Sequence, residues 1–325
     1  MAEVLIFSSR RDEVCCEPVR SRLAELGIET LQVNTDDVLD GSTKVRMAEG
    51  QETSALEING KCIDREYCAA WIRRPFGKIE MPEYFGSQDH RLRQDLQDEV
   101  KVAITGLITS IPNTRFLNSL DSTRIAERKS LQLRMAKKVG LNIPDTEETN
   151  FINECSLVSA IDRVVFKPHR GISTQDGRSS YTSMVDSGRA TSYNNSLVYP
   201  GIFQEFVDKQ REWRVTIVGD EHFAVTIETK EVAKDDWRKH QFERDLVEFA
   251  KGNLPEEIIT ACTKLMGELD LKYGAFDFIE KPSGEFVFLE INPSGQYMWL
   301  ENMLGLDISG AIARTLIQIL ERSVE

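Results

Sequence analysis

Residues 273–295, YGAFDFIEKPSGEFVFLEINPSG, limit the fold of this chain more than any other segment. Two apolar runs flank a turn at residues 282–285, and this pattern predicts an antiparallel β-hairpin. A turn centred on its two middle residues places Asp277 directly opposite Glu290. Directly opposed residues have Cβ atoms about 4.5–5.5 Å apart on one face of a sheet. The hairpin is therefore expected to hold two carboxylates close together.

The two faces of this hairpin are predicted to differ in polarity. Asn292 lies two residues beyond Glu290 and shares its face. Opposed carboxylates repel each other unless a cation neutralises them, and Mg²⁺ prefers one or two carboxylates together with phosphate oxygens. The pattern predicts a Mg²⁺ site at Asp277, Glu290 and Asn292, and the alternative is a hairpin with a solvated polar face. The opposite face is expected to be apolar and to carry Phe276, Phe278, Val287, Leu289 and Ile291.

Composition argues against several classes of protein. The formal net charge of −13 argues against a protein whose main ligand is nucleic acid, because affinity for a phosphate backbone needs clustered Lys and Arg. No apolar run approaches the ~20 residues that span a bilayer, and residues 1–13 lack the pattern of a signal peptide. The six cysteines are scattered and show no zinc-binding spacing. We therefore expect a cytoplasmic enzyme that has no membrane partner.

The order of predicted elements is that of a mixed α/β protein with three domains. Residues 1–118 contain a strand–helix–strand crossover and are predicted to form an N-terminal α/β domain. Residues 119–200 contain a single predicted helix over 119–139, a strand and a polar loop. Residues 201–325 contain a pair of strands, the hairpin and two predicted helices.

The segments FDFIE and FLEINPSGQ of the hairpin resemble the C-terminal end of the ATP-grasp superfamily. In that superfamily the matching Asp, Glu and Asn hold Mg²⁺ between the β- and γ-phosphates of ATP. The resemblance implies an ATP-grasp fold, in which a pre-ATP-grasp domain precedes two domains that clasp ATP. It also implies that Arg214 contacts phosphate and the acyl-phosphate intermediate. The residues implied to bind nucleotide are Lys129, Lys167, the hinge residues Gln204, Glu205, Phe206 and Val207, and either Asp208 or Glu212 at the ribose.

Within the superfamily the chain is most similar to the microviridin-type graspetide ligases, which cross-link side chains of a ribosomally made precursor peptide. The likeness spans about residues 70–310, and the first 70 residues share only the layout. It implies a precursor with a leader and a core, and a lid at residues 168–196. That loop departs from many relatives because its start, HRGISTQDGRSS, has few glycines. The segments that carry the likeness are WIRRP (71–75), REWRVTIVGD (211–220), DDWRKHQ (235–241) and GQYMWLENMLGLDI (295–308).

Some of the implied residues also have a structural interpretation. A lysine on a helix, such as Lys129, usually faces solvent. Lys167 ends an apolar strand, so its ammonium group needs a partner, and a phosphate would serve. Arg73 and Arg74 follow a predicted strand, and one of them can pair structurally while the other contacts substrate. Arg238 lies in a charged loop and can simply face solvent, whereas the resemblance implies that it reaches the reacting carboxylate.

Two other functions stay open at this point. One is an ATP-grasp carboxylate–amine ligase for amino acids or a protein tail, of the glutathione-synthetase or glutamate-ligase type. The other is a nucleotide-binding scaffold that has lost catalysis. A homodimer is compatible with each of these functions, and the sequence does not distinguish ester from amide products.

Overall fold

The computed structural model of the chain describes residues 3–50, 54–76, 90–169, 182–185, 199–230 and 246–322. The strands in these ranges are β1 (Glu3–Ser8), β2 (Glu29–Asn34), β3 (Val45–Glu49), β4 (Ser54–Ile58), β5 (Lys61–Ile63), β6 (Cys68–Ile72), β7 (Thr146–Thr149), β8 (Val164–Lys167), β9 (Ser183–Met184), β10 (Gly201–Glu205), β11 (Arg211–Val218), β12 (Glu221–Thr229), β13 (Val247–Gly252), β14 (Tyr273–Glu280) and β15 (Phe286–Asn292). The helices are α1 (Glu13–Glu25), α2 (Thr35–Leu39), α3 (His90–Thr109), α4 (Leu120–Ala126), α5 (Lys129–Lys138), α6 (Ser156–Ala160), α7 (Glu256–Glu268), α8 (Met298–Leu304) and α9 (Ile308–Glu321).

The N-terminal part is built on a parallel sheet with the order β2-β1-β6. All six residues of β1 are buried, as expected for a central strand that is covered on both faces. Helix α1 connects β1 to its parallel neighbour β2, which confirms the predicted crossover unit. A small antiparallel sheet, β3-β4-β5, follows. The turn between β4 and β5 is at Asn59 and Gly60, which have φ of 51° and 80°, as a two-residue Asn-Gly hairpin turn requires.

The central sheet has the order β7-β10-β8-β9. Strand β10 is hydrogen-bonded to β7 on one side and to β8 on the other. The sequence interpretation made residues 204–207 a hinge and began a new domain at residue 201. The structure places Gln204 and Glu205 inside β10, and residues 206–210 connect this strand to β11 of the C-terminal sheet.

The C-terminal sheet is antiparallel, with the order β13-β12-β11-β14-β15. One face packs against α5 and α7 in a core that includes Trp213, Phe276, Phe278 and Leu265. Near one end of the sheet, the other face joins a second core, which also contains residues of α1, β1, β6 and α9. The last helix of the chain therefore fastens the C-terminal sheet to the N-terminal part.

The single helix predicted over 119–139 is two helices, α4 and α5. Ser119 caps the first helix, because its Oγ accepts the N–H of Ser122 at 3.0 Å. Arg128 is extended, with φ of −84° and ψ of 102°, and it breaks the helical path. This break makes Lys129 the first residue of α5.

The hairpin keeps the predicted pairing at its polar residues but not near its turn. Asp277 pairs with Glu290, and Ala275 pairs with Asn292. The register shifts at a β-bulge directly after Asp277, so that Phe278 pairs with Phe288. A bulge inserts one unpaired residue and reverses the facing of the residues beyond it.

The bulge corrects the predicted apolar face. Phe276, Phe278 and Ile291 pack in the core as expected. Phe288 joins them in place of Leu289 and Val287, and its ring makes edge contacts with Phe276 and Phe278 at centroid distances of 6.3 and 5.7 Å. In the part of the chain that the structure describes, no helix has the length and apolar character needed to cross a membrane.

Candidate active site

The polar face of the C-terminal sheet holds two neighbouring ion pairs. Arg214 lies opposite Asp277 in the β11–β14 pairing, and its Nη1 is 2.8 Å from Asp277 Oδ1. Lys129 reaches the same place from the start of α5, and its Nζ is 3.1 Å from Glu290 Oε2. Two opposed carboxylates are thus neutralised by two cations from different elements. The helix break at Arg128 is what brings Lys129 to this site.

Arg214 is the more enclosed of the two cations. Its exposed fraction is 9%, and its Nη2 also donates to the carbonyl of Gln296 at 3.4 Å. Burial lowers the pKa of Arg214, but the charge and hydrogen bond of Asp277, together with nearby Tyr273 and Glu290, raise it by more, so the pKa lies above its usual value. Arg214 therefore stays charged and provides a fixed positive centre beside the carboxylate pair.

Asn292 completes the predicted donor set. Its position opposite Ala275 puts it on the same face as Asp277 and Glu290. Its Oδ1 accepts the backbone N–H of Ser294 at 2.9 Å, which fixes the orientation of the carboxamide. Two carboxylates and one carboxamide oxygen on one face are hard oxygen donors, and they fit Mg²⁺ bound to phosphate.

Lys167 ends β8 and lies on the central sheet. Its Nζ donates to Gln204 Oε1 at 2.6 Å across the β8–β10 pair. Gln204 is 3% exposed, and its Nε2 donates to Thr146 Oγ1 at 2.9 Å. Gln204 therefore holds the ammonium group of Lys167 through a side chain, a role that sequence reasoning did not assign to it.

The chain leaves the central sheet after Glu205, the last residue of β10, and crosses to β11. The N–H of Glu205 donates to Asp145 O and that of Phe206 donates to Arg163 O, both at 2.9 Å. Arg163 also lies over the ring of Phe206, with its guanidinium carbon 4.0 Å from the centroid. Val207 is 6% exposed. The backbone of this crossing segment is thus held in place by the central sheet.

Asp208 and Glu212, the two candidates for a ribose contact, lie in different surroundings. Asp208 is exposed and forms an ion pair with Arg163. Glu212 lies on β11 two residues before Arg214 and so shares the face of the ion pairs. It pairs with Lys209, and the side chains of both are largely buried. The geometry favours Glu212 over Asp208 as the acid on the site face.

Arg73 and Arg74 come directly after β6, and the structure separates their roles. Arg73 is 1% exposed. Its Nε is 2.8 Å from Asp12 Oδ2, and its Nη1 donates to the carbonyls of Ser294 and Gly295 at 2.9 and 3.1 Å. The burial of Arg73 does not fit the predicted direct contact with substrate.

Arg74 is exposed and has a left-handed backbone, with φ of 49°. Its Nε and Nη2 donate to the carbonyl of Ser294 at 3.2 and 2.9 Å. A non-glycine residue at positive φ is strained, and such strain persists where the surroundings fix it. Arg74 is thus held beside the loop that follows the carboxylate hairpin.

Two predicted features lie outside the described residues. They are Arg238 with its charged loop, and most of the predicted lid at 168–196. His169, at the start of that loop, contacts the carbonyl of Pro200 through Nε2 at 3.1 Å.

Sequence reasoning missed the residues that support the site from behind. Gln296 contacts Arg73, and the hydroxyl of Tyr273 donates to Gly295 O at 2.8 Å. Tyr273 lies in the hairpin and Gln296 lies in a segment used only for the resemblance, so neither was given a role of its own. The available signal was the Gly295-Gln296 pair at the end of FLEINPSGQ, because it comes shortly after the polar residues Glu290 and Asn292.

The chain matches known proteins in the sequence of its N-terminal part and in its fold. Residues 3–124 match the family described as the MvdD pre-ATP grasp domain. A RiPP-associated ATP-grasp ligase from Chryseobacterium gregarium, solved in complex with ADP and a leader and core peptide, is similar with a TM-score of 0.88 and 26% identity, over 98% of this chain and 97% of that chain. The chain therefore has the fold of the ATP-grasp ligases.

Two further solved structures support the same resemblance. Macrocyclase MdnC from Microcystis aeruginosa MRC, bound with precursor peptide MdnA, is similar with a TM-score of 0.82 and 26% identity, over 98% of this chain and all (100%) of that chain. Macrocyclase MdnB from Microcystis aeruginosa MRC is similar with a TM-score of 0.75 and 28% identity, over 98% and 99% of the two chains. No curated protein matches the ligase by sequence. The predicted ATP-grasp fold and the resemblance to microviridin-type ligases are confirmed.

Proposed function

We propose that this ATP-grasp ligase uses ATP and Mg²⁺ to form side-chain ester or amide links between Asp or Glu and Ser, Thr or Lys in a ribosomally made precursor peptide. The observation that carries the proposal is the pair of opposed carboxylates, Asp277 and Glu290, flanked by Arg214 and Lys129. The similar ligase and MdnC were each solved with a precursor-type peptide. These likenesses extend over 98% of the present chain.

Asp277, Glu290 and Asn292 are the residues that would hold Mg²⁺. When bound, the ion would neutralise phosphate oxygens and act as a Lewis acid at the transferred phosphoryl group. Lys129 and Arg214 now pair with the two carboxylates. The site therefore combines two anionic and two cationic groups, which suits a metal together with the oxygens of a polyphosphate.

The nucleotide would lie between the central and C-terminal sheets. Lys167 would neutralise phosphate oxygens from the central sheet, while Lys129 and Arg214 do so from the C-terminal side. Residues Gln204–Val207, at the end of β10 and the start of the connection to β11, would meet the adenine. Glu212 rather than Asp208 would lie at the ribose. Fixed cations of this kind stabilise the charge that develops on the transferred phosphoryl group.

The reaction balances in two steps. A carboxylate oxygen of the peptide attacks the γ-phosphorus of ATP and releases ADP, which leaves an acyl phosphate. A hydroxyl or amine of the same peptide then attacks the acyl carbon, loses its proton and displaces phosphate. The peptide loses one water for each link, and one ATP becomes ADP and phosphate.

The substrate carboxylates need cationic partners, because the enzyme carries a net charge of −13. Arg74 is exposed beside the site and is our candidate for this contact, and Arg238 is a second candidate. Arg73 would act by holding the loop rather than by touching substrate. A leader that docks on the enzyme would raise the local concentration of the core.

The experiment is mass spectrometry of a candidate precursor peptide, sought among the short reading frames near this gene and incubated with the enzyme and ATP. We expect a loss of about 18 Da per link, and alkaline hydrolysis should open ester links and spare amide links. Consumption of free amino acids or a protein tail, with no loss of water from the precursor, would favour an amino-acid ligase. A failure to release ADP with any acceptor would favour the scaffold.

We also place the ligase in the cytoplasm, which the free state of the cysteines in the described residues supports. The homodimer stays a prediction.

A further inference from the structure

The loop of residues 293–297, which we call the post-hairpin loop, directly follows the strand that carries Glu290 and Asn292. Three successive carbonyls of this loop accept hydrogen bonds from arginines. Ser294 O and Gly295 O accept from Arg73, and Gln296 O accepts from Arg214. The loop is therefore held between an arginine of the N-terminal part and an arginine of the site.

Among the described residues, the hydrogen bonds of the Gln296 side chain all go to the N-terminal part. Its Oε1 accepts from Arg73 Nη2 at 2.8 Å and from the Cys15 thiol at 3.0 Å. Its Nε2 donates to Asp12 Oδ1 at 3.0 Å. Burial raises the pKa of the Cys15 thiol, so this thiol keeps the proton that it donates. The amide group of Gln296 thus has well-defined partners on both its oxygen and its nitrogen.

The backbone of the same loop contacts the candidate metal site at two points. Gln296 O lies 3.4 Å from Arg214 Nη2, and Arg214 in turn pairs with Asp277. Ser294 N–H donates to Asn292 Oδ1 at 2.9 Å. A displacement of the loop would therefore move one candidate metal ligand on each strand of the hairpin. These ligands are Asp277 on β14, which is reached through Arg214, and Asn292 on β15.

The fit between the loop and the sheet leaves no room for adjustment at Gly295. A Cβ atom there would lie 2.5 Å from the Cβ of Ala275 and 2.7 Å from Arg214 Nη2. Both distances are far below van der Waals contact, so only glycine allows the loop to press against the sheet. Because the loop lies this close to the sheet, its position depends on its contacts with the N-terminal part on the opposite side.

We propose that Gln296 is a positioning residue, which uses its contacts with Arg73, Asp12 and Cys15 to hold the post-hairpin loop so that Arg214 and Asn292 are aligned for the metal–nucleotide complex. This inference rests on the proposed function. Supporting partners of this kind commonly change metal affinity or activity by roughly 10- to 100-fold when they are removed. Gln296 is a positioning residue rather than a catalytic one, because it acts through Arg214 and Asn292.

The test compares two substitutions that remove side-chain hydrogen bonds between the post-hairpin loop and the N-terminal part. Gln296→Met keeps the length of the side chain and removes its three hydrogen bonds. Tyr297→Phe is the matched control, because it removes the 2.7 Å bond from the hydroxyl to Cys15 O and keeps the ring that packs beside Arg73. Calorimetry of ADP binding by the full-length proteins at graded Mg²⁺ concentrations needs no peptide.

We expect Gln296→Met to raise the Mg²⁺ concentration for half-maximal ADP binding by roughly 10- to 100-fold, and Tyr297→Phe to change it less than about twofold. With a peptide substrate, Gln296→Met should lower kcat, because Arg214 and Asn292 would no longer be aligned for phosphoryl transfer. If Gln296→Met does not fold, Gln296→Glu serves, because it keeps the acceptor for Arg73 and loses the donation to Asp12.

The inference is overturned if Gln296→Met and Tyr297→Phe lower the Tm alike and neither changes the Mg²⁺ requirement. Gln296 would then only hold the fold together. A wild type that shows Mg²⁺-dependent ADP binding but dehydrates no precursor would instead count against the proposed peptide substrate, and the role of Gln296 would stand.

Discussion

In strand β14, Phe276 and Asp277 are neighbours in sequence and face opposite sides of the C-terminal sheet. Phe276 is fully buried, and its ring lies close to the rings of Phe278 and Phe288. Asp277 keeps 21% of its side chain exposed and lies beside Glu290 and Arg214. One face of the sheet is a dry core, and the other is a partly accessible array of charges.

The difference shows how stability and function are divided within one sheet. Burial of aromatic rings supplies apolar contact that does not depend on a ligand. Opposed carboxylates cost free energy unless cations neutralise them, so they add little to folding and are suited to binding an external cation. Substitutions on the two faces should therefore separate loss of activity from loss of stability.

The largest effect is expected from Glu290→Gln on the polar face. It removes one hard anionic ligand and keeps the shape of the side chain, so turnover should fall by roughly 10³-fold. The ion pair with Lys129 is partly exposed, with side-chain exposures of 25% and 26%, so the Tm should change little. Turnover and thermal unfolding of the same preparation are the measurements.

Glu268→Gln provides the control, because it breaks a more exposed ion pair, with Lys138 on α5. This control should keep wild-type turnover. Wild-type kcat in Glu290→Gln at saturating Mg²⁺ would show that the carboxylate pair is not the metal site.

A substitution on the apolar face should give the opposite result. Phe276→Ala is expected to lower the free energy of unfolding by about 3–5 kcal/mol, because it opens a cavity between Phe278 and Phe288. The protein that stays folded should bind Mg²⁺ and ADP with nearly the wild-type Kd. Urea unfolding and calorimetry test the two statements. A large change in Kd without a loss of stability would contradict the division of roles between the two faces of the sheet.

The substitution Lys167→Met tests whether the polar face of the C-terminal sheet is sufficient to bind nucleotide without the central sheet. Lys167 lies on the other sheet, beside Gln204, and its loss should weaken binding of an ATP analogue by roughly tenfold. Methionine keeps the aliphatic stem, so Gln204 stays covered. Lys138→Met is the control, since Lys138 is largely exposed on α5 and should not affect the Kd. An unchanged Kd in Lys167→Met would restrict the phosphate site to the C-terminal side.

The smallest expected effect is a pH dependence that arises in the apolar layer. Cys262 on α7 is fully buried in the core beneath the sheet, and burial raises the pKa of its thiol. Its folded pKa lies above the unfolded value of about 8.5, so its contribution to stability is complete below that pH and is lost as the pH rises toward the folded pKa. Cys262→Ala should therefore make stability fall less steeply between neutral and alkaline pH, as measured by urea unfolding. An unchanged slope would contradict this statement.

The sequence predicted the chemistry of the polar face better than the geometry around it. Asp277 and Glu290 are opposed as predicted, although the pairs between the bulge and the turn are shifted by one residue, because the bulge after Asp277 restores the predicted register. No local pattern marks such a bulge, and the facing of Phe288 and Leu289 could not be obtained without it. The break at Arg128 was hidden in a continuous helical pattern, yet it determines where Lys129 lies.

Long-range support was the least predictable feature. Gln296 and Asp12 are 284 positions apart in the chain and become partners only through the fold. Arg73 and Arg74 have the same residue type at adjacent positions, and only burial separates them. Sequence patterns report local periodicity, whereas these contacts depend on how the N-terminal part packs against the post-hairpin loop.

The central claim is that the polar face supports ligation through an acyl phosphate, and the transfer of labelled oxygen tests it most directly. A precursor whose Asp and Glu carboxylates carry ¹⁸O is incubated with the ligase, ATP and Mg²⁺, and the released phosphate is analysed by mass spectrometry. The mechanism predicts that one ¹⁸O atom enters phosphate for every link formed, because the attacking carboxylate oxygen leaves with the phosphoryl group. Links that form while the phosphate stays unlabelled would contradict the acyl-phosphate route.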